Sequence, residues 1–349
     1  MKEVIKIAGA GISGLTAAIN LNKFGYPVEI YERKGEIANR FKGDFQGIEN
    51  WTTKEDALEL IKNCGLEINF TLSPSYEFKV CGPKRELKSF TSKRAFYYLI
   101  QRGFAEGNLD KGLYNQTLEK DIKIFFDCKE LPEDINIFAT GPDKASAIIL
   151  GCNFQTDFED THIMLCDNDL APKGYAYMLI VNGQGTIATA FKKDTNNPNI
   201  YLERTVESVQ KFYSLNMSDT KRFGTYGSFT TENIYEKNGK YFVGEAAGLQ
   251  DFLFGFGLRY AILSGYLAAK SITNNLNYSR LATTAFSDTL KASLVNRFMY
   301  EQLDNQKYNF IINKLSGIDD LILFLRKRYN FSLKRRLLYP IAKVKQKTF

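Results

Sequence analysis

The chain has 349 residues, 44% hydrophobic and 24% charged, which suffices for two domains with a sizeable core in an ordinary globular composition. Five scattered cysteines and a single histidine, His162, argue against a disulfide scaffold, a Cys- or His-based metal centre and a Ser-His-Asp triad, so hard chemistry has to come from a bound cofactor. The net charge of +7 belongs to the tail, where Leu321 to Phe349 holds nine basic residues and no acidic one, leaving 37 basic against 39 acidic residues elsewhere; a body this neutral speaks against nucleic acid as a partner.

Val4 to Ala8 is a short apolar run of the kind that forms a buried parallel strand. Gly9-Ala10-Gly11-Ile12-Ser13-Gly14 follows. In such a pattern Gly9 permits a tight turn, Gly11 has no side chain to obstruct a pyrophosphate, and Gly14 lets the next helix lie close on the strand. That helix is expected from about Ser13 to Phe24, with its N-terminal N–H groups and dipole serving phosphates and Gly25 as its stop. Pro27 to Tyr31 returns as a second strand. Glu32 at its end can bond both hydroxyls of an adenosine ribose and would repel a 2′-phosphate, and Arg33 can stack or reach phosphate. The spacing predicts a site for FAD or NAD rather than NADP.

Residues 54 to 64 read as helix, 66 to 92 as strands, and Phe96 to Glu119 as a helix interrupted between Gly103 and Gly107. Asp134 to Phe138 is another apolar strand, ending in Ala139-Thr140-Gly141. An antiparallel sheet is expected from about 150 to 240, with Tyr175 to Ile180 and Thr186 to Phe191 as strands and Asn238-Gly239 as a hairpin turn. Gly244-Glu245-Ala246-Ala247-Gly248 and Gly255-Phe256-Gly257 then precede a helix over Leu258 to Ile272. Residues 280 to 349 read mostly as helix. No apolar run is long enough to span a membrane, and no signal-peptide h-region stands at Met1; the expected location is cytoplasmic.

With nucleotide-binding pieces at both ends and a β-rich insert between them, the chain resembles the FAD-dependent oxidoreductases of para-hydroxybenzoate hydroxylase fold, and within them the geranylgeranyl reductases. The resemblance covers residues 1 to 275. It rests on the first glycine motif with Glu32-Arg33, on Gln101-Arg102-Gly103 with Asn108-Leu109-Asp110, on Ala139-Thr140-Gly141, and on Gly244 through Leu258-Arg259-Tyr260-Ala261. The fold class it implies is α/β: a Rossmann-like FAD-binding domain (1–65, 95–150 and 240–280), an inserted antiparallel β-sheet substrate domain (66–94 and 151–239), and a C-terminal helical region (281–349) with the basic tail. By position, Gly9, Gly11, Ser13, Gly14, Glu32, Arg33 and Gly141 belong to the FAD site. Arg40 and Arg102 would contact the cofactor, and Glu245 takes the place of an Asp that bonds the ribityl chain. Gly255, Gly257 and Leu258 would bring backbone N–H groups to the isoalloxazine edge.

Gly174-Tyr175-Ala176-Tyr177 resembles the reductases' Gly-Tyr-Ala-Trp strand beside the flavin, with Tyr177 for Trp and Met178-Leu179 where Phe-Pro is usual. Phe41-Lys42-Gly43-Asp44 stands where the archaeal branch has a Cys-Gly-Glu loop. The activity implied is reduction of carbon–carbon double bonds of an apolar isoprenoid or lipid, with electrons from ferredoxin or NAD(P)H. Tyr175 and Tyr177 are the named proton donors, against the packing role that strand tyrosines commonly have. Two alternatives stay open, an FAD monooxygenase of an aromatic substrate and a non-catalytic flavin or lipid binder, because one fold serves many functions. The 27 Phe and 20 Tyr either line an apolar tunnel or fill the core. In the tail, Leu321 to Leu325 precedes Arg326-Lys327-Arg328, and Leu337-Leu338-Tyr339 follows a second basic triplet. This is either a helix on an anionic membrane surface, peripheral on the inner face, or a helix packed on the body with a solvated basic face.

Overall fold

The structure, a computed structural model, describes residues 2–120, 122–142, 145–192 and 196–347. The opening unit is β1 (Ile5–Ala8), α1 (Ile12–Lys23) and β2 (Val28–Tyr31). Then come β3 (Phe45–Glu49), α2 (Ala57–Asn63), β4 (Ser73–Ser75), β5 (Glu77–Cys81), β6 (Leu87–Thr91), β7 (Tyr97–Gln101), α3 (Leu109–Leu118), β8 (Lys123–Phe125) and β9 (Ile137–Phe138). The middle holds β10 (Ala147–Gln155), β11 (Thr161–Leu165), β12 (Tyr175–Val181), β13 (Gln184–Phe191), α4 (Asn199–Tyr213) and β14 (Ser218–Gly227). The hairpin β15 (Glu236–Lys237) and β16 (Lys240–Phe242) leads through a 3-10 turn at Gly244–Ala247 to α5 (Leu258–Asn274), α6 (Tyr278–Glu301), α7 (Asn305–Leu315), α8 (Leu321–Arg328) and α9 (Leu333–Lys347). Among the described residues no helix is long and apolar enough to cross a membrane.

The first sheet has the order β15-β16-β9-β1-β2-β8 and is parallel except for its edge hairpin. Its central strand carries Ile7, fully buried, as are Ile19 and Leu21 of α1 and Ile30 of β2. Parallel strands covered by helices need such continuous apolar runs. α1 lies directly against α5, because Gly265 has no side chain; a Cβ there would come within 2.3 Å of the Ser13 carbonyl.

The second sheet, β14-β10-β13-β12-β11-β5-β6, is antiparallel apart from one parallel pair, β11 with β5. It already includes β10 from Ala147 onward. Alternation along β12 divides its two faces. Ala176, Met178 and Ile180 are buried in a cluster with Ile187 of β13 and with Leu202 and Val209 of α4. Tyr175, Tyr177 and Leu179 point the other way. The Asn182-Gly183 and Asn238-Gly239 turns have positive φ at both central residues, the geometry that suits the twist of a two-residue hairpin. A third sheet, β3-β7-β4, is antiparallel and is tied to the second by Phe45 N–H donating to Thr186 Oγ1 at 3.2 Å.

Three local expectations change. Phe96 to Gln101 was expected to open a helix, yet Tyr97–Gln101 is strand β7, paired on both sides; a short aromatic and β-branched run is as much a strand as a helix signal, and the partner strands decide. The helix starts only at Leu109. Within the β-rich insert, α4 is a 15-residue helix whose Leu202, Thr205 and Val209 close one face of the sheet. In the tail, Leu321 and Ile322 are buried in the core with Trp51 and Tyr329, and Arg335 is buried and donates to Asn296 Oδ1 at 3.2 Å. Both segments therefore pack on the body through one side, while Lys327, Arg328, Lys334 and Arg336 stay exposed. Residues 348 and 349 of the expected tail lie outside the described residues.

Candidate cofactor and substrate site

The first glycine motif forms the turn from β1 into α1. Gly9 has φ +97, and a Cβ on it would sit 2.4 Å from the Ala139 carbonyl oxygen, so the chain after β9 passes hard against it. Gly14 has equally little room, since its Cβ would lie 2.2 Å from the Gly9 carbonyl oxygen. Gly11 is different. A Cβ there would meet nothing within 4 Å, and Gly11 is the N-cap of α1, which has no capping side chain and no acidic residue in its first turn. The first turn of α1 is therefore without a capping side chain or a competing carboxylate of its own, the arrangement in which a helix N-terminus can accept an anion. Glu32 reaches the same turn: its carboxylate accepts from Ala10 N–H at 2.8 Å and from Lys34 N–H at 2.9 Å. Arg33 is exposed beside it, and Gly141, with φ +77, also borders open space.

The second motif meets the first. Gly244 packs on Ser13, where a Cβ would stand 2.7 Å from Ser13 Oγ, and Gly244 N–H donates to Ser264 Oγ of α5 at 2.9 Å. Glu245 pairs with Arg40 at 3.4 Å. Beyond it, the loop 251–257 is shaped by Asp251, a residue absent from the sequence-based site. Its buried carboxylate accepts from Phe254 N–H at 2.6 Å, from Tyr329 Oη at 2.9 Å and from Ser293 Oγ, and burial raises its pKa above the usual carboxylate value. Gly255 N–H is committed to the Asp251 carbonyl at 3.0 Å. Gly257 is left as the uncapped N-terminus of α5, with open space where a Cβ would be, and Leu258 follows, buried. Leu258 and Gly265 are seven positions apart, so α5 carries its free end roughly 10 Å from the contact with α1.

Arg102 is placed between these pieces but is held by its own neighbours. Its Nε and Nη2 donate to the two oxygens of Asp110, both at 2.9 Å, and Nη1 donates to Gln46 Oε1 at 2.7 Å. Its guanidinium also covers the Phe41 ring at 3.8 Å, while Arg40 lies over the same ring at 4.7 Å. The bidentate geometry fixes the 41–46 loop on β7 and α3. Asp44 in that loop is buried, which raises its pKa, with Arg102 pulling the other way.

The outward face of β12 borders this region. Tyr175 Oη donates to the Phe254 carbonyl, and its ring meets Phe254 edge-on at 6.1 Å. The Tyr177 ring lies 6.1 Å from that of Tyr175, and among the described residues its hydroxyl has no hydrogen-bond partner. Tyr177 keeps some accessible surface, yet burial, then the nearby Tyr175 and Asp44, push its pKa far above the ordinary tyrosine value. The neighbourhood is apolar: Phe45, Leu99 and Val181 form a buried cluster with Tyr97 and Leu179, and the Phe256 ring sits where Gly47 would carry a Cβ. His162 donates to or accepts from Ser75 Oγ at 2.8 Å, and burial lowers its pKa to about 4, so it is neutral at pH 7.

The structure thus brings together Gly9, Gly11, Ser13, Gly14 and Glu32 and joins them to Gly244, next to the Glu245–Arg40 pair. It sets Tyr175 and Tyr177 on one sheet face. Asp251 and Phe254 were not singled out in the sequence; an isolated acid inside the apolar stretch Leu249 to Phe256 was the available signal.

The architecture is that of a class of flavin-dependent enzymes of known structure. One is described as a geranylgeranyl bacteriochlorophyll reductase-like protein from Thermoplasma acidophilum, with a TM-score of 0.72, 15% identity and full coverage of both chains. A flavin-dependent brominase matches at 0.66 with 12% identity over 99% of each chain, and a p-nitrophenol 4-monooxygenase from Pseudomonas putida at 0.66 with 12% identity over 98% of this chain and 99% of its own. Identities this low show a shared fold. No protein-family model matches the sequence, and a search of curated proteins finds no match.

Proposed function

We propose that the chain binds FAD and is an oxidoreductase that reduces carbon–carbon double bonds of an apolar isoprenoid or lipid substrate. The observation that carries the cofactor is the meeting of the two glycine motifs at Ser13 and Gly244, with open space at Gly11 and Gly257. These residues fit FAD. The first turn of α1 would hold the pyrophosphate, Glu32 the adenosine ribose, Glu245 the ribityl chain, and the N-terminus of α5 the far edge of the flavin ring. When bound, the flavin supplies the electron pair for reduction.

The protein's own part is positioning, exclusion of water and custody of a proton. Asp251 fixes the loop that leads to Gly257, and Tyr175 ties that loop to the sheet through Phe254. The aromatic and aliphatic residues beside this face carry no charge, which favours an apolar substrate. Tyr175 has committed its proton to a carbonyl, so Tyr177, whose hydroxyl is uncommitted, is the better donor of the pair. An external electron donor, such as ferredoxin or NAD(P)H, completes the cycle.

The test is anaerobic. FAD-loaded protein is reduced chemically and mixed with a geranylgeranyl-chain substrate. Reoxidation of the protein, with a product gaining two hydrogens per double bond, supports the proposal. No reoxidation without oxygen, together with oxygen-dependent hydroxylation of an aromatic substrate, would favour monooxygenase chemistry instead.

A further inference from the structure

α9 has two opposed faces. On the inner one, Ala342 is buried, Leu338 and Tyr339 pack on the main core, and Gln346 Nε2 donates to the Phe229 carbonyl at 3.4 Å. On the outer one, Leu333 and Leu337 are each 78% exposed, Val344 65% and Ile341 52%. At 3.6 residues per turn these four fall within an arc of roughly 80°, on the side away from Ala342. A single exposed leucine is ordinary, but four aligned on one helix form a continuous apolar stripe. Its borders are basic. Lys334 projects along one edge and Arg336 along the other, both exposed, and no acidic residue occurs anywhere from Leu321 to Phe349.

We propose that α9 docks the protein on an anionic lipid surface, with the Leu333–Leu337–Ile341–Val344 stripe in the interfacial layer and the flanking cations on headgroups. An amphipathic helix lying in the membrane plane has this arrangement of an apolar strip between basic edges, and each cation near an anionic leaflet adds attraction. Charge selects this occupant over a second copy of the chain, because a self-paired stripe would set basic border against basic border. Of the two segments expected in the sequence, the first has Leu321 and Ile322 in the core, so the contact falls to the second, in α9. The inner face of α9 leads back to the candidate site, since the Phe229 it holds lies 3.9 Å from where Gly255 would carry a Cβ. The proposal stands independently of the redox reading, because membrane binding requires no turnover.

The experiment is flotation of the full chain with vesicles of phosphatidylcholine alone or mixed with phosphatidylglycerol, at low and high salt. Wild-type protein should float with the anionic vesicles, less so in high salt, and hardly with the neutral ones. The Leu333→Gln, Leu337→Gln double variant, at positions too exposed to matter for folding, should keep the wild-type melting temperature and lose at least about tenfold in partitioning. Lys334→Glu with Arg336→Glu should weaken binding to anionic vesicles as well. Failure of the wild type to float would overturn the proposal, and so would equal flotation of the leucine variant. A wild-type dimer in solution that Leu337→Gln converts to monomer would assign the stripe to self-association and overturn it too.

Discussion

Gly11 and Gly14 separate what the glycine motif does for the fold from what it does for a ligand. Gly11 has φ −78 and room for a Cβ, so Gly11→Ala should leave stability within about 0.5 kcal/mol of wild type while placing a methyl group where the pyrophosphate belongs. FAD affinity should fall by tenfold or more, about 1.4 kcal/mol. Gly14→Ala forces a Cβ against backbone at 2.2 Å and should cost about 1–3 kcal/mol of folding stability. Urea unfolding and FAD titration of both variants check this; unchanged FAD affinity in Gly11→Ala would remove the phosphate role. The motif was legible because Gly9 and Gly14 answer local backbone demands while Gly11 leaves its side open. Asp251 was not, because its partners Ser293 and Tyr329 are 42 and 78 residues further along the chain.

His162 gives a pH prediction at the same scale. Its pKa is about 4 in the folded protein against about 6.5 in an unfolded chain. Below pH 6.5 the unfolded chain takes up a proton that the folded protein refuses, so stability is lost as pH falls from about 6.5 to about 4, by about 3 kcal/mol in all. The buried carboxyls of Asp44, Glu49 and Asp251 have raised pKa values and act in the opposite sense, with stability lost as pH rises through their folded values. Because His162 is the only histidine, comparison of wild type with His162→Asn, which keeps a polar group near Ser75, isolates its part. The variant should lose less stability between pH 6.5 and 4; an identical pH profile would contradict the assignment.

Among the elements, the strap between β7 and α3 is the most exposed to test. Arg102 and Asp110 are almost fully buried and share two hydrogen bonds. Removing one partner strands the other as a buried charge, so Asp110→Ala should cost about 3–5 kcal/mol. The Arg102→Ala, Asp110→Ala double variant should lose clearly less than the sum of the single losses, as measured by denaturant unfolding. Additive losses would mean that the pair is not coupled. The residues around this strap also mark where sequence patterns fell short. Phe96 to Gln101 carries a run that suits either element type, and only pairing with β3 and β4 makes it a strand. α4 was hidden in a region of strand-like runs, whereas the Asn182-Gly183 and Asn238-Gly239 turns were readable because their backbone angles favour those residues.

At the scale of the whole molecule, the order of motifs carried most of the information. A parallel sheet built from β1, β2, β8, β9 and β16 draws on both ends of the chain, as the two distant glycine motifs implied, and the largely antiparallel sheet supplies the face with Tyr175 and Tyr177. The apolar neighbourhood of Tyr177 was less legible, since Tyr97, Leu99 and Val181 come together only when separate strands pair and pack. The central claim is that the joined motifs make an FAD site, and the most direct measurement is titration of FAD into flavin-free protein, followed by flavin absorption and fluorescence, with Gly11→Ala run beside the wild type. The expected result is saturable uptake of one FAD per chain by the wild type and weakened uptake by the variant. Wild-type protein that takes up no FAD would contradict the account.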